Sequence, residues 1–65
     1  MTGVVTAFDP ERGLGTVATD AGCDLPFHCT AVADGSRTIE VGTRVVFRSV
    51  PGHLGRMEAR ELVAV

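Results

Sequence analysis

Two cysteines and two histidines are the side chains of this sequence best suited to metal or thiol chemistry. They have the spacing C-x4-H-C over residues 23–29, followed by a distant histidine at position 53. Structural zinc sites use paired C-x2-C ligands, and this spacing lacks such a pair. A chain extended between Cys23 and Cys29 would separate them by about 20 Å, beyond the reach of a disulfide. The sequence therefore predicts no metal site and two free thiols.

Other motifs that would indicate a reaction are weak. Residues 12–15 (RGLG) have the glycine spacing of a phosphate loop, but neither a helix start nor G-K-S/T follows them. No Ser/His/Asp, Cys/His or paired-carboxylate arrangement suggests catalysis. A chain of 65 residues is also too small to enclose a cofactor and a substrate together. We therefore expect no enzyme activity, no cofactor and no small-molecule substrate.

Turn signals divide the chain into short segments with strand character. Asp, Pro, Gly and Ser cluster around residues 9–13, 20–22, 33–36 and 51–55. Strands are expected between these turns, at residues 3–8, 14–19, 24–29, 43–50 and 57–65. The last segment contains good helix formers, but Val63 and Val65 favour a strand. Residues 30–33 are expected to form one helical turn capped by Thr30.

Alternating polarity predicts which side of the strands is buried. Phe27 and Phe47 lie on apolar faces and are expected in the core, whereas Arg44 and Arg48 share the opposite face of their strand. Five short strands at this spacing favour a small closed barrel, because closure removes exposed edges. We therefore expect a single all-β domain over residues 1–65.

Charge and hydropathy restrict the partners. The net charge is −2 and all six cations are arginines, so a nucleic-acid contact would need a local patch. The longest apolar run, residues 62–65, is far shorter than the ~20 residues of a membrane helix. The first residues resemble no signal peptide. We expect a cytoplasmic protein with no membrane partner.

Several segments are similar to motifs of the bacterial cold-shock protein family, and together they cover nearly the whole chain. They are GVVTAFD (3–9), RGLGTV (12–17), DLPFHCTAV (24–32) and VGTRVVF (41–47), which resemble G-x-V-K-W-F-N, K-G-F-G-F-I, D-V-F-V-H-F-S-A-I and E-G-x-x-V-x-F. The second and third segments correspond to the family's two RNA-binding motifs. The resemblance implies a five-stranded antiparallel OB-type barrel that binds single-stranded RNA or DNA.

The sequence departs from the family where the binding face carries aromatic residues. The family's tryptophan position is Ala7, the lysine before it is Thr6, and the loop aromatic falls near Ser36. The aromatic positions of the two motifs are Leu14, Thr16, Pro26 and Cys29. We therefore expect weak binding of low sequence specificity. The residues expected to carry it are Phe8, Arg12, Leu14, Thr16 and His28.

Three of these residues also have a purely structural interpretation, and the sequence leaves both interpretations open. Phe8 either stacks on a base or packs in the core. Arg12 either contacts phosphate or pairs with a neighbouring acid in its turn, and His28 either contacts nucleic acid or is simply solvated. The alternative function is a protein-interaction module, including a homodimer, because the replaced aromatics leave a mildly apolar face.

Overall fold

Five β-strands account for most of the residues that the structure describes. The computed structural model describes residues 1–33, 38–52 and 55–65. The strands are β1 (Thr2–Asp9), β2 (Leu14–Thr19), β3 (Asp24–His28), β4 (Arg44–Pro51) and β5 (Met57–Ala64). All five predicted strands are confirmed, including the ambiguous last one. The predicted turns at 33–36 and 51–55, with Ser36 and His53, lie partly outside the described residues.

The strands form one antiparallel sheet in the order β3-β2-β1-β4-β5. The two end strands, β3 and β5, come into contact and curl the sheet into a barrel-like shape. Val32 forms a parallel bridge with Leu62, and the Ala33 amide donates a hydrogen bond of 2.8 Å to the Leu62 carbonyl. The expected all-β, five-stranded antiparallel OB-type fold is confirmed. Pro26, which has no amide hydrogen, lies on the end strand β3, where it interrupts no central ladder.

Inward-facing aliphatic and aromatic side chains from every strand form the core. Phe27 and Phe47 are 2% exposed, which confirms their predicted burial. The buried hydrophobic residues are Val5, Val17, Phe27, Ala31, Val32, Val45, Phe47, Ala59 and Leu62. Arg44 and Arg48 are exposed and alternate with buried Val45 and Phe47, as the period of two predicts.

A β-bulge in β1 determines which side chains face the core. Val5 pairs with Val17, whereas Ala7 pairs with Thr16, so Thr6 is an extra residue on β1. A one-residue shift exchanges the two faces of a strand. Phe8 therefore packs against the core cluster, and Ala7 is exposed.

The helical turn after β3 begins earlier than predicted. It is a 3-10 turn over Cys29–Ala31, and its N-cap is His28 rather than Thr30. Nδ1 of His28 accepts a hydrogen bond of 3.2 Å from the Thr30 amide. An imidazole nitrogen can thus take the place of the hydroxyl that the sequence suggested.

A charged contact joins β1 and β4 to the turn after β2. Nη2 of Arg44 lies 2.8 Å from Oδ2 of Asp20, and the Thr2 hydroxyl donates a hydrogen bond to the same carboxylate. The Thr2 hydrogen bond and the nearby Arg44 charge lower the pKa of Asp20 from its ordinary value.

Among the described residues, no helix is long and apolar enough to cross a membrane.

Candidate nucleic-acid interface

Strand pairing brings the predicted site residues Leu14, Thr16 and His28 to the outer face of β1, β2 and β3. Phe8 lies between them on the core-facing side, and Arg12 lies in the adjoining turn. In one cross-strand row, Ala7 pairs with Thr16, which pairs with Pro26. In a second row, Asp9 pairs with Leu14, which pairs with His28. Directly paired residues share one face of a sheet. Positions separated by up to 21 residues in the sequence, such as Ala7 and His28, therefore belong to one surface.

These rows surround a shallow depression of about 410 Å³. It is lined by Ala7, Phe8, Asp9, Leu14, Gly15, Thr16, Pro26 and Phe27. Three predicted site residues, Phe8, Leu14 and Thr16, are among them. Leu14 is 49% exposed, so its side chain offers an apolar surface to a ligand. We call this feature the outer depression.

Phe8 is at once part of the depression and a packing residue. Its ring lies parallel to that of buried Phe27, with an interplanar angle of 8° and 6.0 Å between ring centroids. Gly15 pairs with both residues, and its missing side chain leaves room for the Phe27 ring. The packing interpretation of Phe8 is therefore confirmed, and only part of its ring is accessible to a base.

Arg12 lies in the turn between β1 and β2, next to the outer depression. Its Nε atom is 3.8 Å from Oδ2 of Asp9, so the neighbouring acid that pairs with Arg12 is Asp9. The side chain of Arg12 is 78% exposed. An ion pair this exposed contributes at most about 1 kcal/mol, so Arg12 can leave Asp9 for a phosphate at little cost.

His28 is exposed at the end of β3, but its ring is held in place. Nδ1 accepts from the Thr30 amide and lies 3.0 Å from the Thr30 hydroxyl oxygen. These contacts assign the hydrogen of the neutral ring to Nε2. His28 can therefore offer a ring face and one N–H donor to a ligand.

The sequence matches a known family. Residues 1–65 match the family described as "'Cold-shock' DNA-binding domain". The chain belongs to the cold-shock domain family. The cold shock-like protein CspD of Bacillus cereus is 37% identical over 59 residues, 89% of each chain. The cold shock protein CspB of Bacillus caldolyticus is 36% identical over 58 residues, 88% of each chain. The cold shock protein CapB of Pseudomonas fragi is 34% identical over 65 residues, 98% of this chain and 93% of the relative.

The aromatic positions of the family motifs fall around the outer depression in this cold-shock domain. Ala7, Leu14, Thr16 and Pro26 line it, whereas Cys29 begins the 3-10 turn after β3 and is not part of the lining. Smaller side chains stand where the family motifs have large rings. Large aromatic rings at these positions would occupy the space of the outer depression.

One lining residue, Asp9, was missed by the sequence reasoning. Its position between Phe8 and Pro10 indicates a turn residue, and it does begin the turn. Oδ1 of Asp9 accepts hydrogen bonds from the amides of Glu11 and Arg12, at 3.0 and 3.4 Å. Pairing with Leu14 also places it beside the depression. Local turn signals carry no information about that cross-strand neighbour.

Arginines on β4 and β5 already have acidic partners. Arg44 pairs with Asp20 at 2.8 Å, Arg48 with Glu61 at 3.2 Å, and Arg60 with Glu58 at 3.3 Å. Each pair contributes both signs of charge to this surface. A phosphate would compete with a carboxylate for each of these arginines. A row of contacts between β4 arginines and successive phosphates therefore has little electrostatic support.

The cysteines lie at the two ends of β3. Cys23 is exposed, Cys29 is half-buried, and both thiols are free. Within residues 1–33, 38–52 and 55–65, no three His, Cys, Asp or Glu side chains are grouped to hold a metal ion.

We expect two alkylated thiols per chain when the purified protein is treated with iodoacetamide without reductant. The reason is that the two cysteines lie at opposite ends of a five-residue strand, which keeps their sulfur atoms apart. Intact mass spectrometry before and after alkylation measures this. An unalkylated monomer lighter by about two daltons would show an internal disulfide and contradict the prediction.

Proposed function

We propose that this cold-shock domain binds single-stranded RNA or DNA weakly and with low sequence specificity. The binding surface is the outer depression together with Phe8, Arg12, Leu14, Thr16 and His28. The observation that carries the proposal is that strand register gathers Phe8, Leu14 and Thr16 around one largely apolar concavity of about 410 Å³. His28 pairs with Leu14 across the sheet, and Arg12 lies in the adjoining turn. The binding needs no cofactor, and we expect it to take place in the cytoplasm.

The chemistry of the surface accounts for weak binding. A base can rest on Leu14, on the accessible part of Phe8 and on the ring of His28. Aromatic stacking on single strands contributes about 1–3 kcal/mol per base, and most aromatic positions here hold small side chains. Arg12 supplies a positive charge beside the depression, whereas the whole chain carries a net charge of −2. Affinity should therefore fall with salt, but with a shallow slope.

Amide chemical shifts of the protein with a short oligopyrimidine at low salt test the location of the site. We expect shifts in residues 6–8, 12–16 and 26–29, except Pro26, which has no amide hydrogen, because these segments border the outer depression. Residues 57–65 should move little, since no residue of β5 lines the outer depression. Shifts concentrated on Arg44, Arg48 and Arg60 would instead place the site on another face.

The same protein sample distinguishes nucleic-acid binding from the alternative function, a protein-interaction module. Light scattering of the free domain gives its mass in solution. A tight dimer that buries the outer depression and excludes oligonucleotide would replace the nucleic-acid proposal with self-association.

A further inference from the structure

Asp9 places a carboxylate at the edge of an otherwise largely apolar depression. It lines the outer depression and pairs across the sheet with exposed Leu14. Neighbouring strands are about 4.8 Å apart, close to the width of a base ring. A base resting on Leu14 would therefore have one edge beside Asp9.

The carboxylate is held in position yet accessible. Oδ1 accepts the Glu11 amide at 3.0 Å, which fixes the side chain against the turn. Oδ2 lies 3.8 Å from the exposed Arg12 guanidinium, and the Asp9 side chain is 51% exposed. An ionised carboxylate offers about four acceptor positions and no donor. Oδ1 already accepts the Glu11 and Arg12 amides, so the acceptor positions left for a ligand are those of Oδ2, once Arg12 turns toward a phosphate.

We propose that Asp9 makes one base subsite of this domain selective for guanine, an inference that rests on the proposed nucleic-acid function. Guanine has two adjacent donors, N1–H and the 2-amino group, and both can donate to Oδ2 of Asp9, which has two acceptor positions. Thymine and uracil have a single N–H between two carbonyl oxygens, and these oxygens would approach the carboxylate unfavourably. Specificity at this one subsite is compatible with permissive contacts along the rest of the strand.

Three fluorescently labelled oligodeoxythymidines of seven nucleotides provide the test. The central base is guanine, hypoxanthine or thymine, and hypoxanthine differs from guanine only by the missing 2-amino group. A good two-point contact to a base gives about tenfold discrimination or more. We therefore expect fluorescence anisotropy at low salt to show about tenfold tighter binding of guanine than of thymine. Hypoxanthine should lie between them.

Two charge-matched variants identify the residue responsible. Asp9→Asn keeps an oxygen that can accept the Glu11 amide, because Asn supports the same turn. It should bind guanine and hypoxanthine equally. Glu11→Gln removes one charge from the same turn, outside the lining of the depression, and should keep the discrimination. A general increase in affinity from the lost negative charge should appear in both variants.

The outcomes separate the two proposals. Equal binding of all three oligonucleotides by the unmodified protein would overturn the guanine subsite and leave nucleic-acid binding intact. Loss of discrimination in Glu11→Gln as well would assign the effect to overall charge and also overturn it. Absence of binding to every oligonucleotide would contradict the proposed function itself. If Asp9→Asn fails to fold, Asp9→Ser keeps an oxygen for the turn and removes the carboxylate, and it should likewise bind guanine and hypoxanthine equally.

Discussion

Replacing Ala7 by Trp and Thr16 by Phe should raise the affinity for a single-stranded oligonucleotide at least tenfold, about 1.4 kcal/mol. The two positions are direct cross-strand partners on β1 and β2, and both line the outer depression. Large rings there would fill the concavity and present two faces for stacking, each worth about 1–3 kcal/mol per base. Neighbouring aromatics across a sheet also support each other, so the double variant should fold.

Anisotropy of a labelled oligonucleotide measures the gain, because the unmodified chain has no Trp or Tyr to report binding. Val46→Trp with Val63→Phe is the matched control. These residues are also exposed cross-strand partners, but they lie on β4 and β5. The control should leave the affinity unchanged. A folded Ala7→Trp, Thr16→Phe variant without increased affinity, or an equal increase in the control, would remove the outer depression as the binding site.

The strands and the core could be predicted because their signals are local. Clusters of Asp, Pro and Gly end each strand, and alternating polarity identifies Phe27 and Phe47 as buried. The resemblance to the cold-shock family added the OB-type topology, which strand count alone leaves open. Long-range strand order is a property of the whole sheet, so no single segment encodes it.

The orientation of Phe8 could not be predicted from alternation. Counting by two from buried Val5 would turn Ala7 inward and Phe8 outward. The bulge at Thr6 reverses this, so Phe8 stacks on Phe27 and Ala7 faces solvent. A bulge depends on how β1 pairs with β2, and its residue types here carry no distinctive signal.

The missed roles of Asp9 and His28 have the same origin. Asp9 begins a turn, as the sequence indicates, but its place beside Leu14 follows from the register after the bulge. His28 caps the 3-10 turn through Nδ1, a role that sequence preferences assign to hydroxyl and carboxylate side chains. Both roles depend on three-dimensional neighbours that local patterns do not contain.

Gly15→Ala should destabilise the domain by about 2–3 kcal/mol, because the site is built over a glycine that has no room for a side chain. A Cβ atom at this position would lie 2.4 Å from Cζ of Phe27 and 2.8 Å from the Ala7 carbonyl oxygen. The Phe27 ring is buried and cannot move aside without disturbing the core. Domains of this length have total stabilities of roughly 3–10 kcal/mol, so the loss is a large fraction. Urea unfolding followed by circular dichroism measures it.

A second variant background isolates the steric cause. Gly15, unlike Gly42 with its φ of 95°, has no left-handed backbone that Ala would strain, so a clash is the expected source of the cost. Phe27→Leu removes the Cζ atom, and Gly15→Ala should cost less in that background than in the unmodified protein. Equal costs in both backgrounds would show that the Phe27 ring is not the obstacle. In that case, the close approach of the Ala7 carbonyl would be what requires glycine between Phe8 and Phe27.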